Sequence, residues 1–211
     1  MELLILCGSP RFGKGPGECT SLYLLQRLEA LLGPDFQART EAANPARNLD
    51  ELAQALPAAR RLVLAFPLYD DSIPAGLLET LAGLERRLAG RPGLGEIPVY
   101  GLVNCGFFEA AHNELAVEML EIWRKRLGFR PGRILAVGGG EMVRQAPMGP
   151  GPLASLSKKL EVLAQDIRSG AAGPTLWAQP NFPRPLYRLA GNLGFRRQAR
   201  KNGLSAKQIR Q

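Results

Sequence analysis

The 211 residues hold a single histidine and only three cysteines. Cys7, Cys19 and Cys105 lie far apart, and none belongs to a CxxC pair. A structural zinc site and a disulfide framework are therefore both excluded by count. No stretch approaches the run of about 18 apolar residues that a membrane span needs. The apolar start at residues 3–7 follows no basic residue and runs straight into Gly8-Ser9-Pro10. It is too short for a signal-peptide core, and the expected compartment is a reducing cytoplasm. Acidic residues are absent from residue 170 onward, where Arg184, Arg188, Arg196, Arg197, Arg200, Lys201, Lys207 and Arg210 stand. Those eight account for the whole net charge of +8, so residues 1–169 are neutral.

What is present is an ordinary globular composition, 45% hydrophobic and 22% charged, which excludes a fully disordered chain. Strand-like and helix-like segments alternate. Short apolar runs at residues 3–7, 62–66, 97–103 and 133–137 predict buried strands, and residues 36–42 predict a polar edge strand. Leucine stripes predict helices over 21–32, 75–88, 110–127 and 152–167, and Asn48-Leu49-Asp50-Glu51 reads as a capping box opening a further helix to about 59. Five βα units in series predict an α/β, doubly wound, three-layer fold with a five-stranded parallel sheet in the order 2-1-3-4-5. The domain is expected over 1–169, with a basic helical C-terminal extension over 170–211.

Such a sheet places its ligand crevice at the carboxyl ends of strands one, three and four. After the first comes a fourteen-residue loop from Gly8 to Ser21, with several glycines and the hydroxyls of Ser9, Thr20 and Ser21. Glycines let backbone N–H groups approach an anion, and the following helix N-terminus favours negative charge. The loop reads as a phosphate cradle to which Arg11 adds charge; the plainer alternative is a flexible connection with Thr20 as N-cap. Gly8-x-x-x-x-Gly13-Lys14 matches a P-loop until Gly15 stands where Ser or Thr is needed, and Pro16-Gly17 blocks a helix at the lysine, so a nucleoside triphosphatase is disfavoured. After the third strand comes Pro67-Leu68-Tyr69-Asp70-Asp71-Ser72-Ile73-Pro74, and after the fourth Asn104-Cys105-Gly106-Phe107-Phe108-Glu109. Aromatic residues and a glycine on these loops suit a flat heteroaromatic ring; the alternative is that Tyr69, Phe107 and Phe108 are loop anchors. Asp70 and Asp71 read as turn residues rather than metal ligands. Cys7 reads as core and Cys105 as an inert thiol. Cys19, near a helix N-terminus, has potential for a lowered pKa. His112 reads as a solvated residue.

On the segments Leu4 to Arg11, Phe66 to Pro74 and Val103 to Glu109, and on Asn181-Phe182-Pro183-Arg184 through Leu204, the chain resembles the flavodoxin-like NAD(P)H-dependent FMN reductases, in a branch with a basic C-terminal tail. The resemblance implies a flavodoxin-like fold and FMN held by three loops. It assigns Ser9, Pro10, Arg11, Thr20 and Ser21 to the phosphate loop, and Pro67, Leu68, Tyr69, Asn104, Cys105, Gly106 and Phe107 to the ring. It implies hydride transfer from NADPH or NADH through the flavin to a small-molecule electron acceptor such as a quinone, a flavin or a metal chelate. No side-chain acid or base is then indispensable. The family pattern has Asn or Ser before the threonine that opens the first helix; here Glu18-Cys19 stands there. The alternative reading is a non-enzymatic module of the same fold with a weakened flavin site, binding nucleic acid or an anionic membrane through its tail. The spacing of Leu186, Leu189, Ala190, Leu193 and Phe195 predicts a helical face interrupted by Gly191 and Gly194. That face favours docking in a homodimer or on the chain's own domain over polyanion binding.

Overall fold

The computed structural model describes residues 3–13, 19–34, 36–43, 45–204 and 208. It divides into two compact units, one ending at Pro180 and the other starting at Asn181. In the first, β1 (Leu3–Cys7), β2 (Ala38–Ala42), β3 (Leu62–Pro67), β4 (Pro98–Asn104), β5 (Arg130–Val137) and β6 (Leu176–Ala178) form one sheet in the order β2-β1-β3-β4-β5-β6. Every pairing in it is parallel. The helices are α1 (Thr20–Leu32), α2 (Pro45–Ala55), α3 (Ala75–Leu88), α4 (Glu114–Arg126), α5 (Gly140–Gln145) and α6 (Ala154–Ser169).

The sheet has six strands rather than the expected five. The sixth is only three residues long, with Leu135, Ala136 and Val137 paired to Leu176, Trp177 and Ala178. Three residues carry too little periodicity to announce a strand. Its position is set by tertiary contacts: the Arg133 guanidinium donates to the Asp166 carboxylate and to the Pro174 carbonyl. The Tyr100 hydroxyl lies 2.9 and 3.1 Å from the carbonyl oxygens of Asp166 and Ala171. Burial pushes that hydroxyl's pKa up to about 12, so it stays protonated as a donor.

Strands β1, β3 and β4 are buried on both faces and separate two apolar layers. One layer joins Leu4, Leu6, Leu64 and Phe66 to the leucines of α2 and α3 and to Trp123 of α4. The other joins Leu3, Ile5, Val63 and Leu102 to α1 and α6. α2 carries a kink at Asn48, which is non-helical at φ −134°, so a helix opens there as expected, preceded by a short turn from Pro45. The Asn48 amide donates to the Ala42 carbonyl at 2.8 Å.

The second unit contains α7 (Arg184–Lys201), entered from Pro183 and continuous through Gly191 and Gly194. Leu186, Leu189 and Leu193 recur at the three- and four-residue spacing of one helix face. Lys207 and Arg210 lie outside the described residues. Among the described residues no helix is long and apolar enough to cross a membrane.

Candidate functional site

Strand order reverses between β1 and β3, so the crevice opens at their carboxyl ends. Gly8 leaves β1 with its N–H on the Ala65 carbonyl at 2.8 Å. An added Cβ there would lie 2.5 Å from Leu77 Cδ2, so the close packing of α3 requires glycine. A tight turn follows: Phe12 N–H donates to the Ser9 carbonyl at 3.0 Å and Arg11 N–H to Ser9 Oγ at 3.3 Å. Ser9 is buried, while Pro10 and Arg11 are exposed. Residues 14–18, with Lys14 and Glu18, lie outside the described residues.

The cap of α1 is Cys19 rather than Thr20. Its sulfur accepts from Leu22 N–H at 3.4 Å. The influence of the Cys7 thiol is the largest of those that hold the Cys19 pKa well below the usual thiol range; burial works the other way. Cys7 is pushed up by the same influence and by burial. Thr20 is half-buried.

Ser21 ties two loops together. It is fully buried, and its hydroxyl donates to Asn104 Oδ1 at 2.7 Å. That bond ties the start of α1 to the end of β4. Replacing Ser21 with Ala leaves the buried Asn104 oxygen without this donor and is expected to cost about 1–3 kcal/mol. A lowered midpoint in urea with an unchanged slope would show it.

The second loop is held beside the third, Leu68 N–H donating to the Asn104 carbonyl at 2.7 Å. Pro67 and Leu68 are half-buried, whereas Tyr69 is 40% exposed. Tyr69 and Ser72 exchange backbone hydrogen bonds at 3.0 and 2.9 Å around Asp70 and Asp71, whose φ angles are +46° and +57°. This is a two-residue turn with both central residues left-handed, a conformation that aspartate tolerates better than most side chains. Their carboxylates are exposed.

On the third loop Asn104 and Cys105 are buried, and Gly106 and Phe107 are exposed. The Cys105 thiol faces its own loop, 3.8 and 3.6 Å from the Phe107 and Glu109 carbonyls, and accepts from the Asn113 amide at 3.4 Å. Burial pushes its pKa up, which suits an unreactive thiol. The Phe107 ring stacks on His112 at 4.2 Å between centroids, and His112 Nε2 lies 3.7 Å from Glu109. Gly138 and Gly140 bring the loop after β5 against this one. An added Cβ at Gly138 would fall on the Phe108 carbonyl and 2.7 Å from Ala110 N. α5 and the Asn113 amide, which also donates to the Ala110 and Val137 carbonyls, carry no periodic signal in the sequence.

The structure thus gathers three loops at one end of the sheet, with aromatic rings exposed on the second and third. A flat ring suits this side: a Cβ at Gly106 would meet nothing within 4 Å. A phosphate suits the exposed Arg11 and the hydroxyl of Thr20. Ser9 Oγ already accepts from Arg11 N–H, and the Ser21 hydroxyl donates to Asn104. Among the described residues no group of three or more His, Cys, Asp or Glu side chains could hold a metal ion.

No family model and no curated protein matches the chain. Solved structures do. An NADH:FMN oxidoreductase in its apo form aligns at a TM-score of 0.60 and 14% identity, over 82% of this chain and 90% of its own. An FMN-dependent NADH-azoreductase from Bacillus anthracis, in complex with FMN, aligns at 0.56 and 14%, over 79% and 99%. A flavodoxin of Streptococcus pneumonia aligns at 0.56 and 12%, over 80% and 99%. The fold is flavodoxin-like.

Proposed function

We propose that the protein is a flavin-dependent oxidoreductase that passes hydride from NADPH or NADH through FMN to a small acceptor such as a quinone, a free flavin or a metal chelate. The observation that carries this reading is the three-loop crevice at the carboxyl ends of β1, β3 and β4. Tyr69 and Phe107 are exposed there on loops locked together by the Ser21–Asn104 and Leu68–Asn104 bonds. The similar folds of FMN-dependent reductases support it.

In this reading the loop of Ser9, Pro10, Arg11, Thr20 and Ser21 holds the phosphate, with Arg11 and Thr20 as its free donors. The ring lies along Pro67, Leu68 and Tyr69 on one loop and Asn104, Cys105, Gly106 and Phe107 on the other. FMN, when bound, supplies the redox centre, and the protein contributes binding, orientation and shielding from water. Cys105 contributes through its backbone, since its thiol is turned into its own loop.

Titration of FMN, followed by quenching of its fluorescence, tests the reading. Saturable binding in the micromolar range is expected, and its absence overturns the proposal in favour of a module that has lost the cofactor. Arg11→Ala is expected to weaken FMN about ten- to a hundred-fold and riboflavin much less. Only FMN carries the phosphate, and a charge-assisted hydrogen bond contributes about 1.5–3 kcal/mol. Equal weakening of both ligands would place the phosphate elsewhere.

A further inference from the structure

α3 and α4 leave an apolar groove along the side on which they meet. The Trp123 indole N–H of α4 donates to the Leu81 carbonyl of α3 at 2.9 Å, and Arg126 pairs with Glu85 at 2.6 Å. Leu78 lies two turns before Glu85, on the same side of α3. Leu115, Met119 and Ile122 lead up to Arg126 on the same side of α4. On α7 a second stripe is formed by Leu186, Leu189 and Leu193. Leu78, Leu115, Ile122 and these three leucines are each 43–57% exposed, so both stripes are open to solvent.

The stripes match in spacing and in charge. From Leu115 the intervals are four and three; from Leu186 they are three and four, the same series reversed. Antiparallel seating sets Leu193 against Leu115, Leu189 against Met119 and Leu186 against Ile122. α4 carries the exposed Glu114, Glu118 and Glu121 before its last turn, and Arg124, Lys125 and Arg126 in it. α7 carries no acid, and its bases Arg196, Arg197, Arg200 and Lys201 gather at its end. Antiparallel seating brings that basic end to the glutamates. Parallel seating, or two α7 helices side by side, would set like charges together.

We propose that α7 of one copy docks antiparallel in the α3–α4 groove of a second copy, so that two chains exchange their C-terminal helices in a symmetric dimer. This goes beyond the flavin reading and does not depend on it. Chain reach makes the contact one between copies. β6 ends at the carboxyl end of the sheet, where α4 starts, and α4 stands between β6 and the groove. An antiparallel α7 begins beside the last turn of α4, about 15 Å farther along and about 8–10 Å outward. The four steps from Pro180 to Arg184 span at most about 14 Å, too few to lay α7 in the groove of its own chain.

Analytical ultracentrifugation of the full-length protein tests the proposal. A dimer is expected. Leu193→Asp and Ile122→Asp are each expected to raise its Kd about a hundred-fold or more, since each places a carboxylate in both contacts. Both positions are exposed, and unchanged thermal melts would show the fold intact. Mixing the two variants decides the pairing. One contact of the mixed dimer is then wild type on both sides, so a mixed dimer is expected where neither variant pairs alone. Arg196→Glu with Arg197→Glu is expected to weaken the dimer, and adding Glu114→Arg with Glu118→Arg to restore it. A wild type that stays monomeric at every concentration, a dimer that withstands either Asp substitution, or variants that fail to pair on mixing overturns the proposal. A monomer that binds phosphatidylglycerol vesicles, DNA or RNA, and loses this with Leu193→Asp, overturns it too and assigns α7 to that surface.

Discussion

Replacing Arg133 with Met is expected to destabilise the protein by about 3–5 kcal/mol, the usual cost of removing one partner from a buried ion pair. The Arg133 and Asp166 side chains are 13% and 12% exposed, so Asp166 would be left without its partner in a poorly solvated place. The same substitution removes the donor to the Pro174 carbonyl, which holds the segment leading into β6. Trp177 in that strand therefore serves as a local reporter. A fluorescence change on Trp177 at denaturant concentrations below the main transition would show that the strand loosens first. Arg133→Met with Asp166→Leu is expected to regain most of the loss, because the pair is then replaced by apolar contacts. If the single and the double variants are equally unstable, the ion pair is not what holds this corner.

Gly138→Ala is expected to cost about 3 kcal/mol or more, although it adds one methyl group. The added carbon would meet the Phe108 carbonyl, Ala110 N and Glu109 C, all of them backbone atoms that cannot rotate away. The glycine cannot retreat either, because its N–H donates to the Ala178 carbonyl at 2.8 Å. The loop carrying Phe107 must therefore shift, and in the flavin reading FMN affinity falls along with stability. Gly106→Ala supplies the contrast within the same loop. Its Cβ meets nothing within 4 Å, so the substitution is expected to be neutral or slightly stabilising. Thermal melts of the two variants side by side decide it, and similar losses would mean that the close approach at Gly138 is not rigid.

The sheet was legible in the sequence wherever burial on both faces made the signal strong. Residues 3–7 and 62–66 read as strands from apolar runs alone, and α3 over 75–88 from its leucine stripe. Elements set by partners far along the chain were not legible. β6 is held by Arg133 and Tyr100, whose partners just before that strand lie 41 and 71 positions away. The sequence reading leaves residues 170–178 in the basic extension, so a truncation after Gly173 would remove a strand of the sheet. A cut after Pro180 removes the second unit alone. At the site, the loops could be placed from the strand order, but the partner of each hydroxyl could not. Ser21 reads as one hydroxyl of the phosphate loop, and only the fold shows its bond to Asn104, 83 positions away. Cys19 reads as a residue near a helix start, and only the fold shows its sulfur capping the Leu22 N–H.

The start of α1, where a phosphate would be expected, is already furnished from within: the Leu22 N–H donates to the Cys19 sulfur and the Ser21 hydroxyl to Asn104. An anion arriving at this helix end must displace one of those bonds or use the donors left over. Its affinity is then a difference between two sets of hydrogen bonds rather than the gain of one.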